Sequence, residues 1–256
     1  PTTVIEPALS RDHTERMLGA MGVEMEESIL DGQHHVRLTP PSNQHLSPLT
    51  MTVPGDISSA AFLIVAALIT PESDILIRDV GLNPTRTGIL TVLQSMGADI
   101  QIINERIENR EPIGDVHVRH SILQGIQVSG DQVVKMIDEF PVFAAAGIYS
   151  KGTTTVSEAV ELRYKESDRI AAVCTQFNKL GGDIEERPDG FIIHNSGKPD
   201  GGEADPHGDH RLAMSLAVSG LAAKHPTVIH NAEIFNESYP QFLDDLRTLG
   251  AEITYE

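Results

Sequence analysis

A five-residue pattern occurs four times along the chain: a large apolar residue, glycine, a small or branched residue, an acidic residue and an apolar residue. Each copy follows a helix-like stretch and precedes a strand-like one. Glycine adopts the left-handed conformation that commonly ends a helix without steric cost. The pattern therefore predicts one supersecondary unit repeated four times, in which a helix ends at a glycine and a strand follows. The copies are 21–25, 96–100, 180–184 and 249–253.

Each of the last three units contains a second, Ala-rich helix that begins beside an acidic residue, which is Asp56, Asp138 or Asp209. These stretches are apolar nearly all round, so we expect the helices to be buried behind a sheet. Short β-rich runs bounded by Gly, Pro and Asn occur at 74–78, 153–156 and 226–230. The sequence thus predicts an α/β (α+β) fold with a domain boundary near Pro54-Gly55.

Composition excludes several classes of protein. The 256 residues carry a formal net charge of −18, which opposes broad contact with nucleic acid or anionic lipid. With Cys174 as the single cysteine, the chain has no internal disulfide framework, and we expect a reducing compartment. No apolar run approaches the roughly 20 residues that cross a bilayer, and no charged-then-apolar leader pattern is present. We expect a soluble, cytoplasmic protein that binds no nucleic acid and no membrane.

The charged run 161–169 precedes apolar residues at helical spacing, so it is predicted to form the first turn of an amphipathic helix. In that turn Lys165 and Arg169 are four residues apart, and Glu166 and Arg169 are three apart. One interpretation is a solvated helix start held by local ion pairs. The other is an anion site, because cations at a helix N-terminus oppose the helix dipole at a cost of about 0.3–1 kcal/mol each.

A similar arrangement occurs at Asp209-His210-Arg211. Backbone N–H groups and a guanidinium at a helix start suit a bidentate phosphate or carboxylate. Asp209 is also a good N-cap residue, and we favour capping for both Asp56 and Asp209. For Asp138, which lies beside Glu139 at an apolar helix start, a pKa tuned for proton transfer is the alternative to capping.

The run 162–169 closely resembles a signature of the 5-enolpyruvylshikimate-3-phosphate synthase family. Other stretches resemble further landmarks of the same family and occur in its order. The resemblance covers essentially the whole chain, and several motifs in order are far more specific than any one of them. These landmarks are 10–15, 55–61, 137–139, 209–214 and 238–242.

The resemblance implies an enolpyruvyl transferase-like inverse α/β barrel built of six βαβαββ units in two domains. Four of the six units are expected here. Residues 1–54 would be the last unit of the upper domain, in part, and residues 55–256 the lower domain of three units without its N-terminal strand. The family's Lys-Ser segment and Asn-Ala-Gly-Thr loop do not occur in this sequence, which begins at Pro1. We therefore expect the chain to be incomplete and inactive alone.

The resemblance also implies a reaction. The enolpyruvyl group of phosphoenolpyruvate is transferred to the 5-hydroxyl of shikimate 3-phosphate, and phosphate is released. No metal or organic cofactor is expected, and the enzyme is expected to be a monomer. The two substrates are the expected partners. The implied catalytic residues are Asp138, Glu166 and His210; the implied shikimate 3-phosphate ligands are Ser10, Arg11, Asp138 and Lys165; and the implied phosphoenolpyruvate ligands are Arg169 and Arg211.

One position departs from the family, since Glu237 stands where many relatives carry a Lys before the Ser-Tyr-Pro motif. This leaves phosphoenolpyruvate with one cation fewer. Two alternatives to the implied reaction are a UDP-N-acetylglucosamine enolpyruvyl transferase, disfavoured by the 165–169 and 209–211 motifs, and a fragment that binds an anion without catalysis.

Three further features have structural interpretations. His34-His35 could bind a metal, but neighbouring strand residues point to opposite faces, so a solvated hairpin is favoured. Cys174 lies on the apolar face of its helix and is assigned to the core. The segment 83–86 is assigned to capping of a helix start.

Overall fold

The structure is a computed structural model that describes residues 1–7, 9–194 and 197–255. The first part of the chain contributes three strands and one helix: β1 (Thr2–Glu6), α1 (His13–Ala20), β2 (Glu24–Leu30) and β3 (Gln33–Thr39). The next part forms α2 (Ile57–Ile69), β4 (Asp74–Gly81), α3 (Gly88–Ser95), β5 (Asp99–Glu108) and β6 (Glu111–Arg119).

The remaining elements complete the chain. They are β7 (Gln127–Val128), α4 (Asp131–Lys135), α5 (Phe140–Tyr149), β8 (Thr154–Val156), α6 (Arg169–Lys179), β9 (Ile184–Arg187), β10 (Gly190–Ile193), β11 (Gly202–Ala204), α7 (His210–Gly220), β12 (Thr227–Ile229) and α8 (Phe242–Thr248). Two 3₁₀ helices lie at Val160–Tyr164 and Ala232–Glu237.

The strands form separate small sheets, one for each predicted unit. β1-β3-β2 and β4-β6-β5 are antiparallel, whereas β11 and β12 are parallel. In the sheet β7-β8-β10-β9 the first pair is parallel and the others are antiparallel. The order from β7 to β10 is strand, helix, strand, helix, strand, strand, with the short α4 before α5. This part of the chain is therefore one whole βαβαββ unit.

The three Ala-rich helices pack against one another at the centre, since α5 contacts both α2 and α7, and α2 also contacts α7. In α2 all residues but one are buried, and in α5 all but Tyr149 are. α8 adds Phe242, whose ring meets Phe62 of α2 edge to face at 5.9 Å. Burying this much apolar surface at roughly 25 cal/mol per Å² is the main stabilising term. The helices thus lie inside and the sheets outside.

The repeated glycines end helices as predicted. Gly22, Gly97, Gly181 and Gly250 follow α1, α3, α6 and α8 and have φ between 88° and 99°, the left-handed region. Strands β2, β5 and β9 begin two or three residues later. The fourth copy differs, because 251–255 forms no strand among the described residues.

The structure corrects the expectation for His34 and confirms the one for Cys174. His34 is not solvated: it is 8% exposed, and its Nδ1 lies 2.9 Å from Oε1 of Glu6 on β1. Because β3 is the central strand, one face of it is covered by side chains of both neighbours, including Glu27 at 3.5 Å from His34 Nε2. Cys174 is buried as predicted, and burial raises the pKa of its thiol to about 12.

In the part of the chain that the structure describes, no helix is long and apolar enough to cross a membrane. The division at 54/55 stays a prediction. Residues 1–54 contact the rest of the chain through side chains of α1 and the residues just before it, and these contacts bring Arg11 to the helix starts described next.

Candidate active site

The starts of α6 and α7 are joined by a buried ion pair. Arg169, the first residue of α6, is 1% exposed, and its Nε donates to Oδ2 of Asp209 at 2.8 Å. Asp209 is fully buried and also accepts from the backbone N–H groups of Arg211 and Leu212, so it caps α7 as predicted. Burial alone would raise the pKa of Asp209, but the bond and charge of Arg169 outweigh it and lower the pKa.

The other end of the Arg169 guanidinium faces two more carboxylates. Its Nη2 lies 2.6 Å from Oε2 of Glu166, and its Nη1 lies 3.7 Å from Oδ1 of Asp138. That Nη1 is buried and has no hydrogen-bond partner among the described residues. A buried N–H without a partner is costly, so this atom is positioned to donate to a ligand.

Asp138 is the centre of the cluster, at the residue two before α5. Arg11 Nη2 donates to its Oδ2, and Arg211 Nη2 lies 3.7 Å from the same oxygen. Burial alone would raise the pKa of Asp138. The charges of Arg211, Arg11 and Lys165 and the Arg11 bond overcome that effect, and the pKa is lowered. The N-cap position of α5 is Glu139 and not Asp138. The role of Asp138 in proton transfer stays a prediction.

The predicted start of the amphipathic helix is wrong, because the charged run 161–169 does not form its first turn. Residues 160–164 form a 3₁₀ helix, and α6 begins only at Arg169, so Lys165 and Glu166 precede the helix. Asp168 is the N-cap, since its side chain accepts from the backbone N–H of Ala171 at 3.1 Å. The prediction of a cation at a helix N-terminus is confirmed for Arg169. Lys165 pairs with Glu161 at 3.5 Å and contributes its charge to the site.

His210 lies beside Arg211 at the start of α7 and is 8% exposed. Its Nδ1 is buried, makes no hydrogen bond within the described residues and lies 3.9 Å from Oε2 of Glu237. Burial lowers the pKa of His210, and the charge of Arg211 lowers it further. The imidazole is therefore neutral at pH 7 and can accept or donate a proton in a hydrogen bond.

Within the part of the chain that the structure describes, Ser10 makes no hydrogen bond to the cluster. Its hydroxyl donates to Oε2 of Glu6 at 2.7 Å, and its backbone N–H donates to the other oxygen of that carboxylate. The same carboxylate accepts from His34, and these bonds lower the pKa of Glu6 against the opposing effect of its burial. Ser10 is nevertheless adjacent in the chain to Arg11, which does reach Asp138.

Sequence reasoning missed a buried carboxyl group beside Asp138. Glu139 is 2% exposed and accepts from the hydroxyl of Ser58 on α2. Arg86 Nη2 donates to the same hydroxyl at 2.8 Å and to Oδ1 of Asp56 at 3.0 Å. Burial raises the pKa of Glu139, although Ser58 and the nearby arginines oppose the shift. The sequence singled out Arg86 only as part of a helix start, and nothing local indicates its partner on α2.

A cavity lies elsewhere, away from this cluster. It holds about 260 Å³ and is lined by the residues around the junction of 1–54 with the rest, including His13, Met51, Asn83 and Arg86. None of the predicted site residues lines it. The structure contains no group of three His, Cys, Asp or Glu side chains able to hold a metal ion, within the residues that it describes. The expectation that the site uses no cofactor stays a prediction.

The cluster combines four cations with three carboxylates in a chain of strongly negative charge. A ligand with several negative charges would be held by guanidiniums in bidentate fashion, and the carboxylates would exchange protons with it. Closely spaced charges of both signs suit a reaction in which charge develops and then disappears. Seven side chains from four segments of the sequence form this cluster: Arg11, Asp138, Lys165, Glu166, Arg169, Asp209 and Arg211.

Known proteins match this chain over nearly its whole length and are longer than it. A relative named 3-phosphoshikimate 1-carboxyvinyltransferase from Gloeothece citriformis is 49% identical over 249 residues, which are 97% of this chain and 54% of the relative. One of the same name from Petrotoga mobilis is 50% identical over 245 residues, covering 95% and 55%. The chain thus spans about half the length of the curated relatives it matches.

Solved structures agree. EPSP synthase from Acinetobacter baumannii superimposes with a TM-score of 0.91 at 41% identity, over 99% of this chain and 57% of that one. The enolpyruvyl transferase NikO from Streptomyces tendae has a TM-score of 0.78 at 20% identity, over 100% and 56%, which bears on the fold alone. The predicted fold, the enolpyruvyl transferase-like inverse α/β barrel, is confirmed.

The family comparison covers nearly the whole chain, since the family described as EPSP synthase (3-phosphoshikimate 1-carboxyvinyltransferase) matches residues 1–246. The match includes every residue of the charged cluster around Asp138. The relatives named above are about half identical in sequence to this chain, and the solved structures share its fold. This chain therefore belongs to the EPSP synthase family.

Proposed function

We propose that this chain forms part of an enzyme that transfers the enolpyruvyl group of phosphoenolpyruvate to the 5-hydroxyl of shikimate 3-phosphate. The observation that carries the proposal is the convergence of three arginines, Arg11, Arg169 and Arg211, on the carboxylate of Asp138. Membership of the family supports the choice of substrates, because the matched relatives bear the name of that activity.

Arg169 and Arg211 bind phosphoenolpyruvate. Support comes from the Nη1 of Arg169, which is buried and has no hydrogen-bond partner among the described residues, and from Arg211, whose side chain is largely buried and lies 3.7 Å from Asp138. A phosphate or carboxylate between them would satisfy these N–H groups. Binding free energy from these contacts orients C2 of the ligand toward the acceptor hydroxyl.

Asp138 takes the proton of the 5-hydroxyl as the oxygen bonds to C2 of phosphoenolpyruvate. Its lowered pKa keeps the carboxylate ionised at neutral pH and ready to accept that proton. When two anionic substrates form ion pairs with Arg11 and Arg211, these arginines stabilise the Asp138 carboxylate less. Its proton affinity then rises at the moment when it is needed.

Glu166, in its protonated form, gives a proton to the methylene carbon in the addition step and takes one back in the elimination step. The C2–O bond to phosphate then breaks, and the released phosphate takes the proton that Asp138 accepted from the hydroxyl. The ion pair of Glu166 with Arg169, at 2.6 Å, places the carboxylate beside the proposed phosphoenolpyruvate site. His210 lies beside Arg211 and assists proton exchange there. Lys165 contacts the shikimate ligand and offsets the charge of the tetrahedral intermediate.

Arg11 holds the 3-phosphate of the acceptor substrate, with Ser10 beside it. Arg11 is 45% exposed in its side chain, so it is accessible to a second anion while it contacts Asp138. Ser10 would have to leave Glu6 to donate to a phosphate. We further propose a monomer in the cytoplasm that uses no metal, no organic cofactor and no nucleic acid or membrane partner.

The test is a chimera in which this chain is joined to the part of the Gloeothece citriformis relative that it does not match. Phosphate release is measured with phosphoenolpyruvate and shikimate 3-phosphate together, then with UDP-N-acetylglucosamine as acceptor. We expect release only with shikimate 3-phosphate. Release only with the sugar nucleotide would overturn the substrate assignment, and turnover by the chain alone would overturn the expectation that it is incomplete.

A further inference from the structure

The side chain of Asn83 lies at the junction between the segment that carries Arg11 and the rest of the chain. It follows β4 and is 1% exposed. Its Oδ1 accepts from both the backbone N–H and the hydroxyl of Thr85, at 2.9 and 2.7 Å. These two bonds fix which end of the amide is the oxygen, because both partners are donors toward it. The NH₂ group must therefore face the opposite way.

On that side the NH₂ group meets two carboxylates from different parts of the fold. It donates to Oδ1 of Asp12, just before α1, at 2.6 Å and to Oε2 of Glu111 on β6 at 3.1 Å. Glu111 in turn pairs with Nδ1 of His13 at 2.7 Å. A neutral amide with two hydrogens is the side chain that can bridge two carboxylates without adding charge.

Asp12 is itself held on its second oxygen. Arg16 Nε donates to Oδ2 of Asp12 at 2.8 Å, and Arg16 Nη1 donates to the backbone carbonyl of Arg110 at 2.8 Å. The Asp12 carboxylate is 8% exposed in this arrangement. The segment is thus fastened at Asp12, the residue that directly follows Arg11.

We propose that Asn83 is a positioning residue: by bridging Asp12 and Glu111 it holds the segment of Arg11 in the place from which that guanidinium reaches Asp138. Asn83 touches no substrate and acts through Asp12. The consequence for ligand binding rests on the proposed function, in which Arg11 holds the 3-phosphate. The fastening of the segment itself does not depend on that function.

The decisive variant is Asn83→Asp, which replaces the donating NH₂ by an oxygen that faces two carboxylates at hydrogen-bond distance. Asn104→Asp is the matched control, because Asn104 Nδ2 also donates to a carboxylate, Oδ2 of Asp115 at 2.8 Å, but on β5 away from the segment. Asn83→Ala removes the bridge without adding charge, and it serves if Asn83→Asp does not fold.

Hydrogen–deuterium exchange of the full chain tests the fastening without any ligand. We expect the amides of residues 12–23, which include the Arg16 N–H bonded to the Asp12 carbonyl, to exchange at least about fivefold faster in Asn83→Asp and faster also in Asn83→Ala. The amides of α5 and α7, and residues 12–23 of Asn104→Asp, should exchange as in the unchanged chain. Unchanged exchange at 12–23 in both Asn83 variants would overturn the proposal.

Calorimetric titration of the same proteins with shikimate 3-phosphate and with phosphoenolpyruvate gives the second readout. We expect about tenfold weaker binding of shikimate 3-phosphate in Asn83→Asp and phosphoenolpyruvate within about twofold, a split that general destabilisation would not produce. Equal loss for both ligands would overturn the positioning role. If neither the unchanged chain nor the chimera described above binds shikimate 3-phosphate, the proposed function fails, and the exchange experiment alone decides whether Asn83 fastens the segment.

Discussion

Two helix starts in this molecule each contain an Asp–Arg ion pair, but the two pairs differ in burial and in how their N–H groups are used. At the start of α7, Asp209 caps the helix and receives Arg169, and both side chains are almost completely buried. At the start of α2, Asp56 caps the helix and receives Arg86, but the Asp56 side chain is 51% exposed. Arg86 donates from Nη2 to both Asp56 and Ser58, whereas Arg169 keeps a buried Nη1 without a partner in the described structure.

The comparison shows that an exposed Asp–Arg pair at a helix start acts only as a cap, whereas a buried pair, which has no water around it, can also form a binding site. A half-exposed pair contributes little net free energy, because water competes for both charges. A buried pair has lost its hydration, so every unused N–H must find a partner or a ligand. α5 begins between the two, with Asp138 facing the Arg169 side and Glu139 facing the Arg86 side.

The largest expected effect separates the two arginines. Arg169→Ala leaves the buried carboxylate of Asp209 without its partner and should lower the free energy of unfolding by about 3–5 kcal/mol. Arg86→Ala should cost about 1 kcal/mol, because the half-exposed Asp56 regains water. Urea unfolding at neutral pH measures both. Equal losses for the two variants would contradict the argument from burial.

The next largest expected effect is a difference in enzyme activity between variants of two aspartates at helix starts, Asp138 and Asp56. In the chimera with the Gloeothece relative, we expect Asp138→Ala to reduce turnover by about 10²–10⁴-fold, the range for loss of a general base. Its effect on the KM for phosphoenolpyruvate should be small, since Arg169 and Arg211 remain. Asp56→Ala is the control and should cost about 1 kcal/mol of stability as a lost cap while turnover is retained. Near-normal turnover of Asp138→Ala would refute the assignment.

Local rules carried the sequence-based interpretation a long way. The repeated glycines were predictable because the left-handed turn is a requirement of the backbone, and their positive φ values confirm it. Asp56 and Asp209 were predictable as caps for the same reason, since capping depends on the next three residues. The motifs around Asp138 and Arg169 indicated the charged site, and these side chains do come together.

What depended on distant partners was not predictable. The turn before α6 is held by a distant contact, because Ser167 donates to Asp209, 42 residues away. Glu139 lies beside the predicted Asp138, but its hydroxyl partner is 81 residues away on α2. Neither contact leaves a trace in local spacing, because helix packing alone sets it.

A smaller effect is expected at Glu139, from pH. Burial raises its folded-state pKa above 4.5, so the folded state binds this proton more tightly than the unfolded state does. Its contribution to stability is fully present below pH 4.5 and is lost as the pH rises through the folded-state pKa. Glu139→Gln keeps an oxygen for Ser58 and removes the ionisation, so its stability should fall less over that range. Urea unfolding at a series of pH values checks this; parallel curves would contradict it.

The smallest effect is expected at the edge of the α7 start, where Glu237 brings a negative charge to 3.9 Å from Nδ1 of His210. Its side chain is 63% exposed, so water screens most of its repulsion toward a bound anion. In the chimera, Glu237→Lys should lower the KM for phosphoenolpyruvate by about two- to fivefold, the scale of an exposed charge pair. Glu233→Lys makes the same charge change on the same 3₁₀ helix and should leave this KM unaltered. If both variants lower the KM equally, the effect comes from the overall charge of −18 and not from the position of Glu237 beside His210. The start of α7 would then bind phosphoenolpyruvate through its buried groups alone.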